Sequence, residues 1–216
     1  MKKVVLFAGR LSQPKGGEQI IKAMEIVSRE IPNTILLVAG DKEGYAKEMI
    51  KIAKKKNVRI VLTGFLDHQG MKAAYHSSDV VVTPSIYLDP FPTVNLEAMA
   101  CSKPVVGTCF GGTPEVVVDG KTGYIVNPLD EKAMAEKIIY LLKNPAKAKK
   151  MGRAGYLRIK ENFSTNSNTN QILKAYQEAL ENPLKIHFST KLFDLIVIIP
   201  LMIFIGFVVY PLSKIK

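Results

Sequence analysis

The chain has 216 residues, 47% hydrophobic and 23% charged, and 30 Lys and Arg against 19 Asp and Glu give a formal net charge of +11. This length suits one domain of ordinary size with an appendage, and it can bury a substantial core. The basic excess comes without a nucleic-acid recognition motif or an aromatic stacking pattern, so no nucleic acid is expected as a partner.

Short apolar runs at 4–8, 34–39, 58–63, 80–83, 104–108 and 124–126 read as strands, with helical stretches between them. In the first helical stretch Ile20, Ile21, Met24 and Val27 form a stripe while Gln19, Lys22, Glu25 and Glu30 face water. Apolar strands alternating with helices indicate an α/β domain, a doubly wound parallel sheet. Ligands of such sheets sit outside the carboxyl ends of the strands, where the loops at 9–16, 64–68, 84–92 and 109–113 would gather. A last helix around 170–181 carries its own stripe, Ile172, Leu173, Tyr176, Ala179 and Leu180. The two cysteines, Cys101 and Cys109, lack a second pair or a close histidine and are expected as buried, reduced thiols. His68, His76 and His187 are scattered, so no metal site is expected.

Chemistry concentrates in two loops. Gly9-Arg10-Leu11 leaves the first strand, and Lys15-Gly16-Gly17 precedes the next helix. An Arg fork and a Lys point charge five positions apart can both be aimed at one diphosphate. Further on, Pro84 ends the fourth strand, and Asp89 and Glu97 stand eight positions apart, one in a loop and one inside a helix beginning near Thr93. The start of that helix offers unpaired N–H groups and partial positive charge, which suits a phosphate. Two hydroxyl-seeking acids beside an anion-seeking helix end describe a sugar nucleotide. Taken singly, the Asp89–Glu97 stretch reads equally well as an ordinary αβ loop with a surface acid and a helix Glu, and one Arg and one Lys in a loop are usually solvated surface.

Together the loops resemble the donor half of retaining glycosyltransferases of the GT-B fold, the large family-four type. The residues that carry the resemblance are Gly9-Arg10-Leu11 with Lys15-Gly16, then Asp89-Pro90-Phe91 and Leu96-Glu97-Ala98-Met99-Ala100. Pro104-Val105-Val106-Gly107 and Gly111-Gly112-Thr113-Pro114-Glu115-Val116-Val117 continue it, over about residues 4–180. The resemblance implies a Rossmann-like, nucleotide-sugar-binding fold with Arg10, Lys15 and Asp89 as the catalytic set. Arg10 and Lys15 would hold the diphosphate and stabilise charge on the leaving nucleotide. Glu97 would take the ribose hydroxyls and Asp89 the hydroxyls of the sugar ring. N–H groups near Thr93 and Val94 would face the sugar and β-phosphate, with Gly9, Phe91 and Pro92 beside them, and the backbone at Leu66 would meet the base. No cofactor and no metal is implied, since Arg and Lys neutralise the diphosphate. Two positions depart from the pattern: Asp89 stands where Glu is frequent, and Pro92 where Gly is common, deleting one N–H donor.

Residues 195–213 carry no charge, and as a helix of about 28 Å they could span a membrane. The alternative is a hydrophobic helix buried against a partner protein. The expected organisation is a domain at 1–182, a linker at 183–191, a transmembrane helix at 192–213 and a basic tail at 214–216. Met1-Lys2-Lys3 leads straight into a strand, so no signal peptide is expected, and the domain is placed on the cytoplasmic face. Seven basic residues and no acid lie from Lys143 to Lys160, and a second run is Lys51, Lys54, Lys55, Lys56 and Arg59; both could attract anionic membrane lipid or simply be solvated. Because the donor half begins at residue 4, the acceptor half is expected from a separate subunit. The competing reading is a non-catalytic, membrane-bound nucleotide-sugar-binding partner or a truncated enzyme. An epimerase on the same fold would need cleft acids and histidines that the sequence does not display.

Overall fold

A computed structural model of the chain describes residues 2–41 and 43–182. Its six strands are β1 (Lys3–Ala8), β2 (Thr34–Ala39), β3 (Ile60–Leu62), β4 (Val80–Thr83), β5 (Val105–Thr108) and β6 (Gly123–Val126). They form one parallel sheet in the order β3-β2-β1-β4-β5-β6. The expected parallel, doubly wound sheet is therefore present, and its order reverses between β1 and β4. The connecting helices are α1 (Gly17–Glu30), α2 (Tyr45–Lys55), α3 (His68–Ser77), α4 (Thr93–Ala100), α5 (Thr113–Val116), α6 (Glu131–Lys143) and α7 (Pro145–Asn162).

Alternation along β1 explains why both faces of the sheet are covered. Val5 and Phe7 enter one apolar cluster with Ile20, Ile21, Met24 and Val27 of α1, while Leu6 and Ala8 enter another with Tyr75, Ala98 and Met99. All four stripe residues of α1 are fully buried. β4 is buried throughout, as a continuous Val-Val-Val run in a covered parallel sheet must be.

The third strand is shorter than the run at 58–63 suggests. Asn57 takes a left-handed φ of 55°, and the Val58 N–H donates to the Ala53 carbonyl at 2.8 Å while Asn57 N–H donates to Lys54. Val58 is thus spent on closing the end of α2 in a Schellman arrangement before the strand can start. Ser102 (φ 55°) and Lys103 close α4 in the same way, on Met99 and Ala98. Neither turn uses glycine, so no glycine marks these helix ends in the sequence.

Part of the basic surface is committed to holding the fold. Arg158 donates to the carbonyls of Glu115 and Val116, Lys103 to those of His76 and Ser78, and Lys56 and Lys143 pair with Glu25 and Glu30. Lys51, Lys54, Lys55, Arg59, Lys147, Lys149 and Lys150 are exposed. The chain divides into two units, Met1–Asn168 and Thr169–Lys216. Of the second, residues 169–182 are described, and they continue a helix, α8 (Thr165–Glu181), where the stripe at 170–181 reads as helical. The expected linker, transmembrane helix and basic tail lie outside the described residues. Among the described residues no helix is long and apolar enough to cross a membrane.

Close backbone contact brings the loops at the carboxyl ends together. A Cβ on Gly112 would lie 2.1 Å from the Pro90 carbonyl oxygen, and the Gly112 N–H donates to the Asp89 carbonyl at 2.8 Å. Gly112 has an ordinary φ of −81°, so a side chain there is resisted by contact alone. Gly112→Ala is expected to lower stability by on the order of 1–3 kcal/mol, read as a drop in the urea midpoint at unchanged slope. An unchanged midpoint would mean that the two loops can separate freely.

Candidate functional site

In a sheet whose order reverses, the strands on either side of the reversal send their following loops to opposite sides and leave a crevice at their carboxyl ends. Here those strands are β1 and β4, and the loops are 9–16 and 84–92, the two singled out by the sequence. They are tied together: the Ile86 N–H donates to the Pro14 carbonyl at 2.9 Å, and a Cβ on Gly16 would lie 2.0 Å from the Pro84 oxygen. The crevice between them is lined by Phe7, Lys15, Thr83, Asp89 and the segment 91–94. Of the expected site residues, Lys15, Asp89, Phe91, Pro92, Thr93 and Val94 are therefore brought together.

Lys15 and Asp89 meet directly, with Nζ 2.5 Å from Oδ2. The Tyr87 hydroxyl donates to the same oxygen at 2.8 Å, and the Lys15 ammonium lies 5.0 Å from the centre of the Tyr87 ring. Asp89 is only 7% exposed. Burial alone would raise its carboxyl pKa, but Lys15, Tyr87 and the Phe91 N–H together outweigh burial and hold it below the usual carboxylate range. For Lys15 burial pulls the pKa down, and the contacts with Asp89 and Tyr87 push it above the usual lysine value. Both directions agree on an ionised pair.

Beneath this pair α4 presents its first turn. Pro92 is the N-cap and supplies no side-chain cap, and the Asn95 N–H is taken by the Pro92 carbonyl at 3.0 Å. Among the described residues no acceptor meets the N–H groups of Thr93 and Val94. The turn is held by Asn95, fully buried, which accepts from the Thr83 hydroxyl at 2.8 Å and donates to the Thr113 hydroxyl at 3.2 Å. One side chain thus pins α4 to β4 and to α5.

Glu97 lies apart from Asp89. It faces a neighbouring hollow between α3 and α4, lined also by His68, Met71, Lys72 and Cys101, and accepts from the Tyr75 hydroxyl at 2.9 Å. The two acids therefore lie in different hollows, Asp89 in the loop before α4 and Glu97 on its second turn, rather than sharing one. Gly9 (φ 119°) donates its N–H to the Ala39 carbonyl at 2.8 Å and turns the chain out of β1. Arg10 follows it, exposed, with no hydrogen bond or ion pair among the described residues. Leu66 is half-buried against the apolar cluster under α3, away from the crevice. Cys101 is half-buried and Cys109 exposed, both free, which corrects the expectation of buried thiols. Cys109 leaves β5 at the carboxyl edge of the sheet, where no described residue covers it, and Cys101 caps α4. Among the described residues no group of three His, Cys, Asp or Glu side chains could hold a metal.

The sequence pattern gave no role to Tyr75, Tyr87 or Thr83, and Thr113 entered only as one position of the Gly111–Val117 run that carries the resemblance. Asn95 carried a faint signal, as a poor helix former in the third position of a helix without other polar need.

Because the folded Asp89 pKa is depressed, its share of stability is present above the unfolded carboxylate pKa of about 3.9 and is lost as pH falls through the lower folded value. The raised Lys15 pKa makes its share present below about 10.4 and lost as pH rises through the higher folded value. The stability difference between the parent and Asp89→Asn should thus stay flat from about pH 5 to 9 and shrink below about pH 4. Denaturant melts across that range would refute the pairing if the difference vanished near neutrality.

The comparisons with known proteins agree with this geometry. Residues 1–158 match the family model for glycosyl transferases group 1. The chain is 36% identical over 162 residues to a glycogen synthase of Mycobacterium tuberculosis, covering 74% of this chain and 38% of that protein. Sucrose-phosphate synthase from Thermosynechococcus elongatus is similar in structure, with a TM-score of 0.73 and 32% identity over 83% of this chain and 46% of that one. Anabaena HepE, solved in complex with UDP, gives a TM-score of 0.74 and 26% identity over 82% of this chain and 49% of that one. The chain spans half or less of the length of the curated relatives it matches. With the family match running through β1, β4 and the first turn of α4, which together build the crevice, the chain belongs to the group 1 glycosyl transferases.

Proposed function

We propose that the domain binds a nucleotide-diphosphate sugar as the donor half of a retaining GT-B glycosyltransferase. The observation that carries this reading is the crevice at the reversal of strand order, where Lys15 faces a helix start whose Thr93 and Val94 N–H groups lack acceptors. A diphosphate suits both, and Arg10, exposed on the same loop after β1 as Lys15, would close on it. When phosphate oxygens draw Lys15 away, Asp89 keeps its Tyr87 hydrogen bond, and the place Lys15 leaves at Oδ2 can be taken by a sugar hydroxyl. The cations then stabilise the negative charge that grows on the departing nucleotide. UDP bound to the similar HepE supports a nucleotide ligand without naming the base here.

Transfer also needs an acceptor held in line with the donor, and positioning of this kind is worth several kcal/mol, on the order of 7–11 at best. Exposed apolar side chains stand on the loops after β3, β4 and β6, at the carboxyl edge of the sheet: Phe65 (77% exposed), Leu88 (75%) and Leu129. An acceptor-binding half, supplied by a second subunit, would cover that edge. Residues 195–213 would attach the assembly to a membrane, with a lipid-linked acceptor within reach. The second reading, a non-catalytic nucleotide-sugar binder, rests on the same crevice and differs in giving no transfer once the acceptor half is supplied.

Calorimetry with UDP, GDP, ADP and their glucose conjugates tests donor binding; failure of all six to bind would end the proposal. Arg10→Ala should weaken the best ligand by about 1.5–3 kcal/mol, and Lys15→Ala by a similar or smaller amount. Asp89→Asn should penalise only the sugar-bearing form, whereas Glu97→Gln should weaken the nucleoside diphosphate and its sugar conjugate alike. Equal losses for both ligands in both variants would refute that division of roles.

A further inference from the structure

Each of the two acids is gripped by a tyrosine hydroxyl, and the two grips differ in kind. Tyr87 sits on an exposed loop beside Asp89 and shares it with Lys15. Tyr75 is 2% exposed, locked in the apolar cluster beneath α3 and α4 with Leu6, Val81, Ala98 and Met99. Its hydroxyl cannot follow a moving carboxylate, so the carboxylate must come to it. Glu97 is an exposed helix side chain that would otherwise sample many rotamers in water.

Building on the proposed donor reading, we infer that Tyr75 is a positioning residue: it anchors Glu97 Oε2, leaving Oε1 aimed outward to accept from the ribose hydroxyls of the nucleotide. The hydroxyl reaches across from α3 to the second turn of α4 at 2.9 Å, a contact spanning 22 residues that no local pattern announces. Burial and the Glu97 charge both push the Tyr75 phenol pKa far up, so it stays a donor at every working pH. His68 and Lys72 also line the hollow, but among the described residues neither is paired with Glu97, which leaves the tyrosine as the group that orients it. An acid fixed at one oxygen presents the other at a constant place, which lowers the ordering cost when a vicinal diol arrives.

The inference separates from a purely structural tyrosine by its dependence on ribose. The purified full chain in detergent is titrated with UDP, GDP and ADP, and then with the 2′,3′-dideoxy form of whichever binds tightest. Tyr75→Phe should lower affinity for the ribonucleotide about five- to tenfold and leave affinity for the dideoxy form unchanged. In a Glu97→Gln background the same change should have no further effect, because the two residues act as one unit. Equal loss on both nucleotides, or full additivity with Glu97→Gln, would show that Tyr75 merely packs. If Tyr75→Phe does not fold, Glu97→Asp supplies the test: one methylene shorter, it cannot meet Tyr75 and ligand together, so an undiminished ribose preference there sinks the inference. If no nucleotide binds, the donor reading fails and this inference with it; if one binds without preferring ribose, only the inference fails.

Discussion

The carbonyl of Pro84 occupies the space where a side chain on residue 16 would begin, and the site depends on that contact. Without it, the loop carrying Lys15 could not lie against the loop carrying Asp89, and the crevice between β1 and β4 would open to solvent. Gly16 also takes a left-handed φ of 78°, which no branched side chain adopts cheaply, and so turns the chain directly into α1. The same device repeats on the far side, where Gly112 rests on Pro90. Three loops from three strands are thus held at van der Waals distance by backbone alone, and every polar side chain of the site inherits its place from them.

Electrostatics then act within that frame. A carboxylate as buried as Asp89 is tolerated only because a cation and two hydrogen-bond donors meet it. The pair is a resting arrangement that a diphosphate can rearrange, since Lys15 remains partly solvated and flexible while Asp89 keeps Tyr87. Cations elsewhere do quieter work. Several of the lysines and arginines that make the chain so basic close helix ends or bridge helices, as Lys103, Arg158 and Lys56 do. Helix carboxyl ends gather at the opposite edge of a parallel sheet, and their carbonyls favour positive charge there.

The sheet was legible because its strands are short, continuous and apolar, and a parallel strand buried on both faces has no other composition open to it. α1 was legible from four residues at helical spacing, all of which lie in the core. The third strand misled at its start: Val58 is apolar and buried like a strand residue, but its N–H serves the end of α2. A hydrogen bond to a carbonyl five residues back leaves no trace in hydropathy. The cysteines misled in the same way, since an apolar neighbourhood in sequence says little about whether a loop at the sheet edge is covered.

What the sequence by itself determined is the α/β class, the places of the six strands to within a residue or two, and the loops in which polar chemistry would gather. These are local properties: periodicity, a proline after β4, glycines beside an Arg and a Lys. Only the tertiary structure decided which side chains meet. It set Lys15 on Asp89 rather than leaving both free, turned Glu97 into a separate hollow, and supplied Tyr75, Tyr87 and the Thr83–Asn95–Thr113 chain as their supports. Those contacts join residues up to 74 positions apart, and their geometry depends on strand order and helix rotation, which no single stretch of sequence encodes.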